Sequence, residues 1–265
     1  MNQSALSALF LCTVSLSLAF TGVTTKALAT ERSKQVALVY NGPGACSDLC
    51  AEAAADVARR HGLTVRWVSA ETLSAETADE VFKNVVVWIQ PGGNAITAAK
   101  RLGHNRLAII RERIRAGVNY VGFCAGAFLA DKTVNDEETI EGLGLIPFST
   151  YDYAVDQGEW GVLLPFDWNG QKRKVYFNGG GSFKVPKKSI QDGSVVVFAR
   201  YSKEGHPAAI DTFFGEGRVV LTGPHPEALQ WWKDESNRED PDSIDEDGSD
   251  FDLADDVLSR ALGTN

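Results

Sequence analysis

Three runs of nearly continuous apolar residues constrain this chain more than any other feature. They are Gln35–Tyr40 (Q-V-A-L-V-Y), Val85–Gln90 (V-V-V-W-I-Q) and Asn119–Phe123 (N-Y-V-G-F). Each is strand-length. The first ends in Asn41-Gly42-Pro43-Gly44 and the second in Pro91-Gly92-Gly93. A strand exposed on one face alternates apolar and polar residues; a strand covered on both faces does not. Between these runs lie an Ala-rich helical stretch from Ser47 to about His61, stopped by Gly62, a second strand at Thr64–Val68, and a helix whose apolar face is marked by Leu107, Ile110 and Ile114. Strands alternating with helices predict an α/β fold, a three-layer sandwich whose central sheet is mostly parallel, with a flavodoxin-like core.

Beyond about Asn135 the helical periodicity fades and aromatics mix with Gly. Short strands are expected at Lys174–Phe177, Ser194–Ala199, Ala208–Phe214 and Arg218–Thr222, as β-hairpin additions and closing strands of the same sheet. Phe251, Ala254, Val257, Leu258 and Leu262 fit a final amphipathic helix over 251–265. The expected divisions are therefore a leader over 1–29, one globular domain over 30–232, an acidic linker over 233–250 and the last helix.

The leader rests on an apolar run from Ala5 to Phe20, followed by Ala27-Leu28-Ala29, which suits signal peptidase. The run is shorter than the ~20 residues that cross a bilayer. A cleaved signal, an exported (periplasmic or secreted, bacterial) protein and no stable membrane span after cleavage are expected. The formal net charge is −9 over 265 residues, which argues against a nucleic-acid partner. Between Lys233 and Asp250 stand nine acidic and two basic side chains, so the acidity belongs to one segment and the globular part is nearly neutral. That segment has too few apolar residues to offset its own ordering entropy and reads as a solvated linker.

Cleavage would leave Cys46, Cys50 and Cys124. Cys46 and Cys50 stand four apart at a helix start, with Cα atoms about 6 Å apart, so the pair is either bridged or two buried free thiols. The odd cysteine is Cys124, in Gly122-Phe123-Cys124-Ala125-Gly126-Ala127-Phe128. An apolar strand delivers a cysteine between small residues and helix-capable sequence follows, the arrangement of a nucleophile elbow. Such a turn exposes the sulfur, and the helix amides favour its thiolate. The Ala125 N–H becomes an oxyanion donor.

A cysteine nucleophile needs a base and a group to orient it. Thr222-Gly223-Pro224-His225-Pro226-Glu227 supplies both. Pro226 favours extended backbone, which turns His225 and Glu227 to one side. Gly92 and Gly93 are candidates for the second half of the oxyanion hole. Asn178-Gly179-Gly180-Gly181 is either a flexible hairpin or a loop whose backbone passes close to a ligand. No His, Cys and Asp residues stand at metal-ligand spacing, and neither a metal nor a cofactor is expected.

These segments together resemble a class I glutamine-amidotransferase-like domain, and more closely the amino-terminal domain of fungal-type biotin–protein ligases and its stand-alone bacterial relatives. The resemblance is carried, in order, by Tyr40–Gly44, Pro91–Gly93, Gly122–Ala127, Asn178–Gly181 and Thr222–Glu227. It implies catalytic roles for Cys124, His225 and Glu227. It also places Asn41 and Gly42 with Gly92, Gly93, Ala125, Asn178, Gly179 and Gly180 in the oxyanion and substrate-binding set. Two departures matter. Only 38 residues follow Glu227, too few for a ligase domain, and there is no G-R-G-R-type adenylate signature, so biotinylation is not expected. Phe128 stands four residues after the nucleophile, where typical glutamine amidotransferases carry Gln. The function expected is an exported cysteine hydrolase or amidotransferase-like enzyme acting on an amide or related acyl C–N bond of a small-molecule or peptide-like substrate. The alternative is a non-catalytic ligand-binding or redox-responsive protein that uses the same cysteine.

Overall fold

A computed structural model of the chain describes residues 35–134, 140–153, 161–236 and 249–264. The expected leader and most of the acidic run lie outside these residues. The elements in chain order are β1 (Val36–Tyr40), α1 (Ser47–Arg60), β2 (Thr64–Val68), α2 (Ala78–Val81), β3 (Val85–Gln90), α3 (Ala95–Arg115), β4 (Asn119–Phe123) and α4 (Ala125–Leu129). There follow β5 (Thr150–Asp152), β6 (Val162–Trp168), β7 (Gln171–Phe177), β8 (Gly181–Phe183), α5 (Lys187–Gln191), β9 (Val195–Tyr201), β10 (Pro207–Phe214), β11 (Gly217–Thr222), α6 (Gln230–Ser236) and α7 (Phe251–Leu262).

Nine strands form one sheet in the order β2-β1-β3-β4-β11-β10-β9-β6-β7. From β2 to β11 every neighbouring pair is parallel. From β11 to β7 every pair is antiparallel. The parallel half is the flavodoxin-like core, and the hairpin strands continue the same sheet. β5 and β8 pair separately.

The apolar strand runs are explained by burial on both faces. In β1 all five residues are buried. Leu38 and Tyr40 pack on one side with Trp88, Tyr120 and the Leu102, Leu107, Ile110 and Ile114 stripe of α3. Ala37 and Val39 pack on the other with Ala51, Ala54, Ala55 and Ala58 of α1 and Leu253, Ala254, Val257 and Leu258 of α7. Period-two alternation thus feeds two cores, one on each face. The small alanines of α1 let that helix lie close to the sheet. α3 is broken at Gly103 (φ 66°, ψ 168°) and resumes in the same layer.

The acidic run differs from a plain linker at both ends. Lys233 lies in α6 and Asp250 caps α7. Both are buried, and Nζ of Lys233 bonds Oδ2 of Asp250 at 2.6 Å. Asp250 also accepts from Arg173 of β7 at 3.2 Å. The ends of the run are therefore pinned together against the antiparallel half of the sheet. Among the described residues no helix is long and apolar enough to cross a membrane.

Candidate active site

The parallel topology collects the carboxyl ends of β1, β3, β4 and β11 along one edge, where ligands bind in open α/β sheets. Cys124 follows β4 directly. Its backbone has φ 48° and ψ −104°, a region that costs a non-glycine residue energy. The turn is held because the Cys124 N–H donates to Thr222 O (2.8 Å) and its carbonyl accepts from the Ala127 N–H (2.9 Å). The helix that follows is only five residues long, so its aligned dipole is much weaker than a full helix would supply. The group set to act on the sulfur is instead a side chain.

That side chain is His225, three residues beyond β11. Its N–H donates to Tyr176 O (2.8 Å), which fixes the loop to the end of β7. Nδ1 of His225 is 2.9 Å from Oε1 of Glu227, and the ring is within hydrogen-bonding reach of the Cys124 side chain. His225 is 4% exposed and Glu227 1%. The Oε2 atom of Glu227 is buried with no hydrogen-bond partner among the described residues, so the ring is the partner the carboxylate has. Burial by itself would push the imidazole down. Negative charge at Cys124 and at Glu227, with hydrogen bonds to both, reverses this and raises it from 6.5 to about 10. The imidazolium is thus the favoured form at neutral pH, sandwiched between sulfur and carboxylate. In the thiol form Sγ can donate to Asn178 O at 3.6 Å.

Aromatic rings fence the imidazole. Tyr176 and Trp232 lie edge-on to it, with centroids 5.9 and 6.0 Å away. The Pro91-Gly92-Gly93 loop closes the other side and is stapled to the loop after β1 through Cys46 N to Gly92 O (3.1 Å) and Asn94 N to Gly44 O (2.7 Å).

Two cavities open onto Cys124. The first, about 590 Å³, is lined by His225, Tyr176, Trp231, Trp232, Leu49 and the Cys46 and Cys50 pair. The second, about 570 Å³, is lined by Ala125, Phe128, Thr150, Tyr151, Asp152 and Gly179. Gly93, Asn94 and Asn178 border both. Ala125 is the first residue of α4, so its N–H has no acceptor within the helix.

Of the residues singled out in the sequence, Cys124, His225 and Glu227 come together, and Gly93, Ala125, Asn178 and Gly179 line the cavities around them. Gly92 packs against the His225 ring instead of facing a cavity. Asn41 and Gly42 line neither cavity: Asn41 is exposed and its N–H donates to Val68 O (2.8 Å), while Gly44 and Ala45 of the same loop reach the site. Gly180 lies against backbone, not ligand space; a methyl added there would fall 2.0 Å from Gly223 O. Its bareness lets two loops touch. Cys46 and Cys50 are bridged across the first turn of α1, with Cα atoms 5.4 Å apart. Tyr176, Trp231, Trp232 and Leu49 carry no motif, and nothing local in the sequence separates them from core or surface aromatics and aliphatics. Among the described residues no group of three His, Cys, Asp or Glu side chains is placed to hold a metal ion.

The fold is that of glutamine amidotransferase-like proteins. A crystal structure of a glutamine amidotransferase superposes with a TM-score of 0.54 at 20% identity, over 71% of this chain and 90% of that one. A cytoplasmic protein of Salmonella typhimurium LT2 superposes with a TM-score of 0.52 at 10% identity, over 86% and 99%. The chain belongs to the family described as "Biotin-protein ligase, N terminal", whose profile matches residues 35–257. The biotin–protein ligase of Schizosaccharomyces pombe is 26% identical over 184 residues, 62% of this chain and 28% of that protein. The chain therefore matches little more than a quarter of that relative's length.

Proposed function

We propose that this protein is a cysteine-nucleophile hydrolase or amidotransferase-like enzyme that cleaves an amide or related acyl C–N bond. The observation that carries the reading is the position of His225, joined to Glu227 by a 2.9 Å hydrogen bond through one nitrogen and in reach of Cys124. The Cys124 thiolate adds to the substrate carbonyl carbon. The oxygen takes the negative charge and is held by the Ala125 and Gly93 N–H groups. As the tetrahedral intermediate collapses, the C–N bond breaks and the imidazolium gives its proton to the leaving amine, leaving a Cys124 thioester. Neutral His225 then takes a proton from water, hydroxide displaces the sulfur, and the acid is released. Glu227 keeps the ring oriented and stabilises its charged form. An oxidising, exported setting fits this reading, since it is where a Cys46–Cys50 bridge persists. The ligase activity named for the fission-yeast relative is not carried over, because the match covers 28% of that protein.

The test is acyl trapping. The protein is mixed with p-nitroanilides and p-nitrophenyl esters of short acids, quenched in acid, and its intact mass and peptides are measured. An acyl increment on Cys124 is expected that disappears in Cys124→Ser and that, in His225→Asn, still forms from the nitrophenyl esters and persists, but no longer forms from the anilides. If no member of the panel acylates Cys124 while iodoacetamide still alkylates it, the cysteine belongs to a binding or redox-responsive protein and the catalytic reading falls.

A further inference from the structure

The two cavities that meet at Cys124 are chemically unlike, and the catalytic groups are divided between them. His225, the proton donor to the leaving nitrogen, lines only the first cavity; Ala125, an oxyanion donor, lines only the second. An amide carbon at Sγ therefore points its nitrogen towards His225 in the first cavity and its oxygen towards Ala125, and the second cavity is the space left for its acyl substituent. The first cavity is walled by Tyr176, Trp232 and a disulfide, and two large apolar side chains of its lining are exposed: Leu49 at 40% and Trp231 at 44%. Exposed apolar side chains in the lining of an apolar cavity mark a ligand site. The second cavity has apolar Ile96, Phe128 and Val134 in its wall too, but adds Thr133, Thr150, Asp152 and the Tyr151 ring, whose hydroxyl bonds His206 at 3.3 Å.

We infer that the leaving group is an aromatic or branched-alkyl amine seated against Trp231, Trp232 and Leu49, and that the acyl half carries polar groups. The inference rests on the catalytic reading above and fixes which half of the substrate carries the apolar group. It assigns specificity to α6, an element with no part in the chemistry. A primary amide, whose leaving group is ammonia, leaves the first cavity empty and forgoes its burial.

The experiment holds the acyl group constant as 3-hydroxypropanoyl and varies the amine through ammonia, methylamine, benzylamine and 2-phenylethylamine. Amine release and the Cys124 acyl increment are followed for each. Burial of one phenyl ring predicts kcat/KM about 30-fold higher for the benzyl than for the primary amide. Phenylacetamide, which places its ring on the acyl side, is expected to be the poorest substrate. Trp231→Ala, and Leu49→Ala as a second and milder variant, should each lower the benzyl-to-primary ratio about fivefold or more. Trp67→Ala, which removes an exposed tryptophan from β2, should leave the ratio unchanged. A Cys124 thioester formed equally well from the primary and benzyl amides, or a preference for phenylacetamide, overturns the inference and spares the catalytic reading. Absence of the thioester from every member removes both.

Discussion

The ring of His225 lies directly over Gly92: a methyl carbon added to that glycine would stand 2.4 Å from Cε1. The Pro91-Gly92-Gly93 loop is thus the floor on which the imidazole rests, and its lack of a side chain sets the height of the ring. Gly92 does not have the positive φ of Gly93, so alanine is tolerated by the backbone and only the ring must move. Gly92→Ala is expected to keep the fold and thermal transition while lowering kcat/KM for acyl transfer about 100-fold, the usual cost of a misplacement near 1 Å. Circular dichroism melts and acylation rates, measured on one preparation, check both halves. Unchanged acylation would show that the ring has room this geometry denies it.

The raised proton affinity of His225 has a definite sign in stability. Its folded value of about 10 exceeds the ordinary 6.5, so the folded state holds the proton more tightly than the unfolded chain. The resulting stabilisation is complete below about pH 6.5 and is lost as pH rises through about 10. NMR of 13C-labelled histidine should place the His225 midpoint near 10 in the native protein and lower in Cys124→Ala and in Glu227→Gln, since each removes one of the two negative neighbours. Melting temperature should fall more steeply between pH 7 and pH 10 in the native protein than in Glu227→Gln. A native midpoint near 6.5 would show that the two charges do no more than offset burial, and one below 6.5 that burial wins.

The reactive residues were legible in the sequence because each belongs to a local pattern. Cys124 sits where an apolar strand meets small residues, and His225 and Glu227 stand two apart; the extended backbone expected at Pro226 is instead a turn, closed by the Ala228 N–H donating to His225 O at 3.1 Å, and it is this turn that brings the carboxylate to the ring. The strands of the parallel half were legible because burial on both faces leaves no polar alternation; Thr64–Val68, Val85–Gln90 and Asn119–Phe123 begin and end as expected. β6 was not foreseen. Its apolar run V-L-L-P-F-D-W contains Pro165, which normally argues against a strand. Pro165 is tolerated because β6 pairs with β9 only from Phe166 to Trp168, so no N–H is asked of it on that side, where its carbonyl still accepts from the Ser202 N–H at 3.0 Å. The cavity walls were not legible either, because Tyr176, Trp232 and Leu49 meet through long-range packing that no spacing encodes.

Lys233 and Asp250 are the clearest case of burial hidden in a polar run. Their side chains are 1% and 0% exposed, and the 2.6 Å bond between them joins α6 to the start of α7. Removing Lys233 leaves Asp250 with Arg173 as its counterpart, so the loss falls at the low end of the about 3–5 kcal/mol of a broken buried pair. Lys233→Met is expected to lower unfolding stability by about 3 kcal/mol. Trp231 and Trp232 immediately precede Lys233 in α6, so the variant's tryptophan emission should also shift to the red. The double variant Lys233→Met with Asp250→Leu should recover part of the loss, because Arg173 then keeps Asp252 but not Asp250. Urea unfolding followed by fluorescence measures all three proteins; a single variant as stable as the native chain would mean the pair contributes nothing to holding α6.

The Cys46–Cys50 bridge should behave in the opposite way. It closes a loop of separation four, so the entropy it removes from the unfolded chain is small, about 2 kcal/mol at most. The turn it braces is already held by Cys50 N to Cys46 O at 3.3 Å and by Cys46 N to Gly92 O at 3.1 Å. Replacing both cysteines by serine is therefore expected to cost less than the Lys233 variant and to leave acylation of Cys124 intact, because neither sulfur touches the reacting atoms. Its effect should appear in the first cavity, whose wall loses an apolar surface: the preference for an aromatic amine should weaken while the rate with methylamine amides holds. Urea midpoints and the same amide series read the two effects separately. Loss of acylation in the double serine variant would show that the bridge positions Gly93 for the chemistry, a role its place beside the oxyanion loop would then explain.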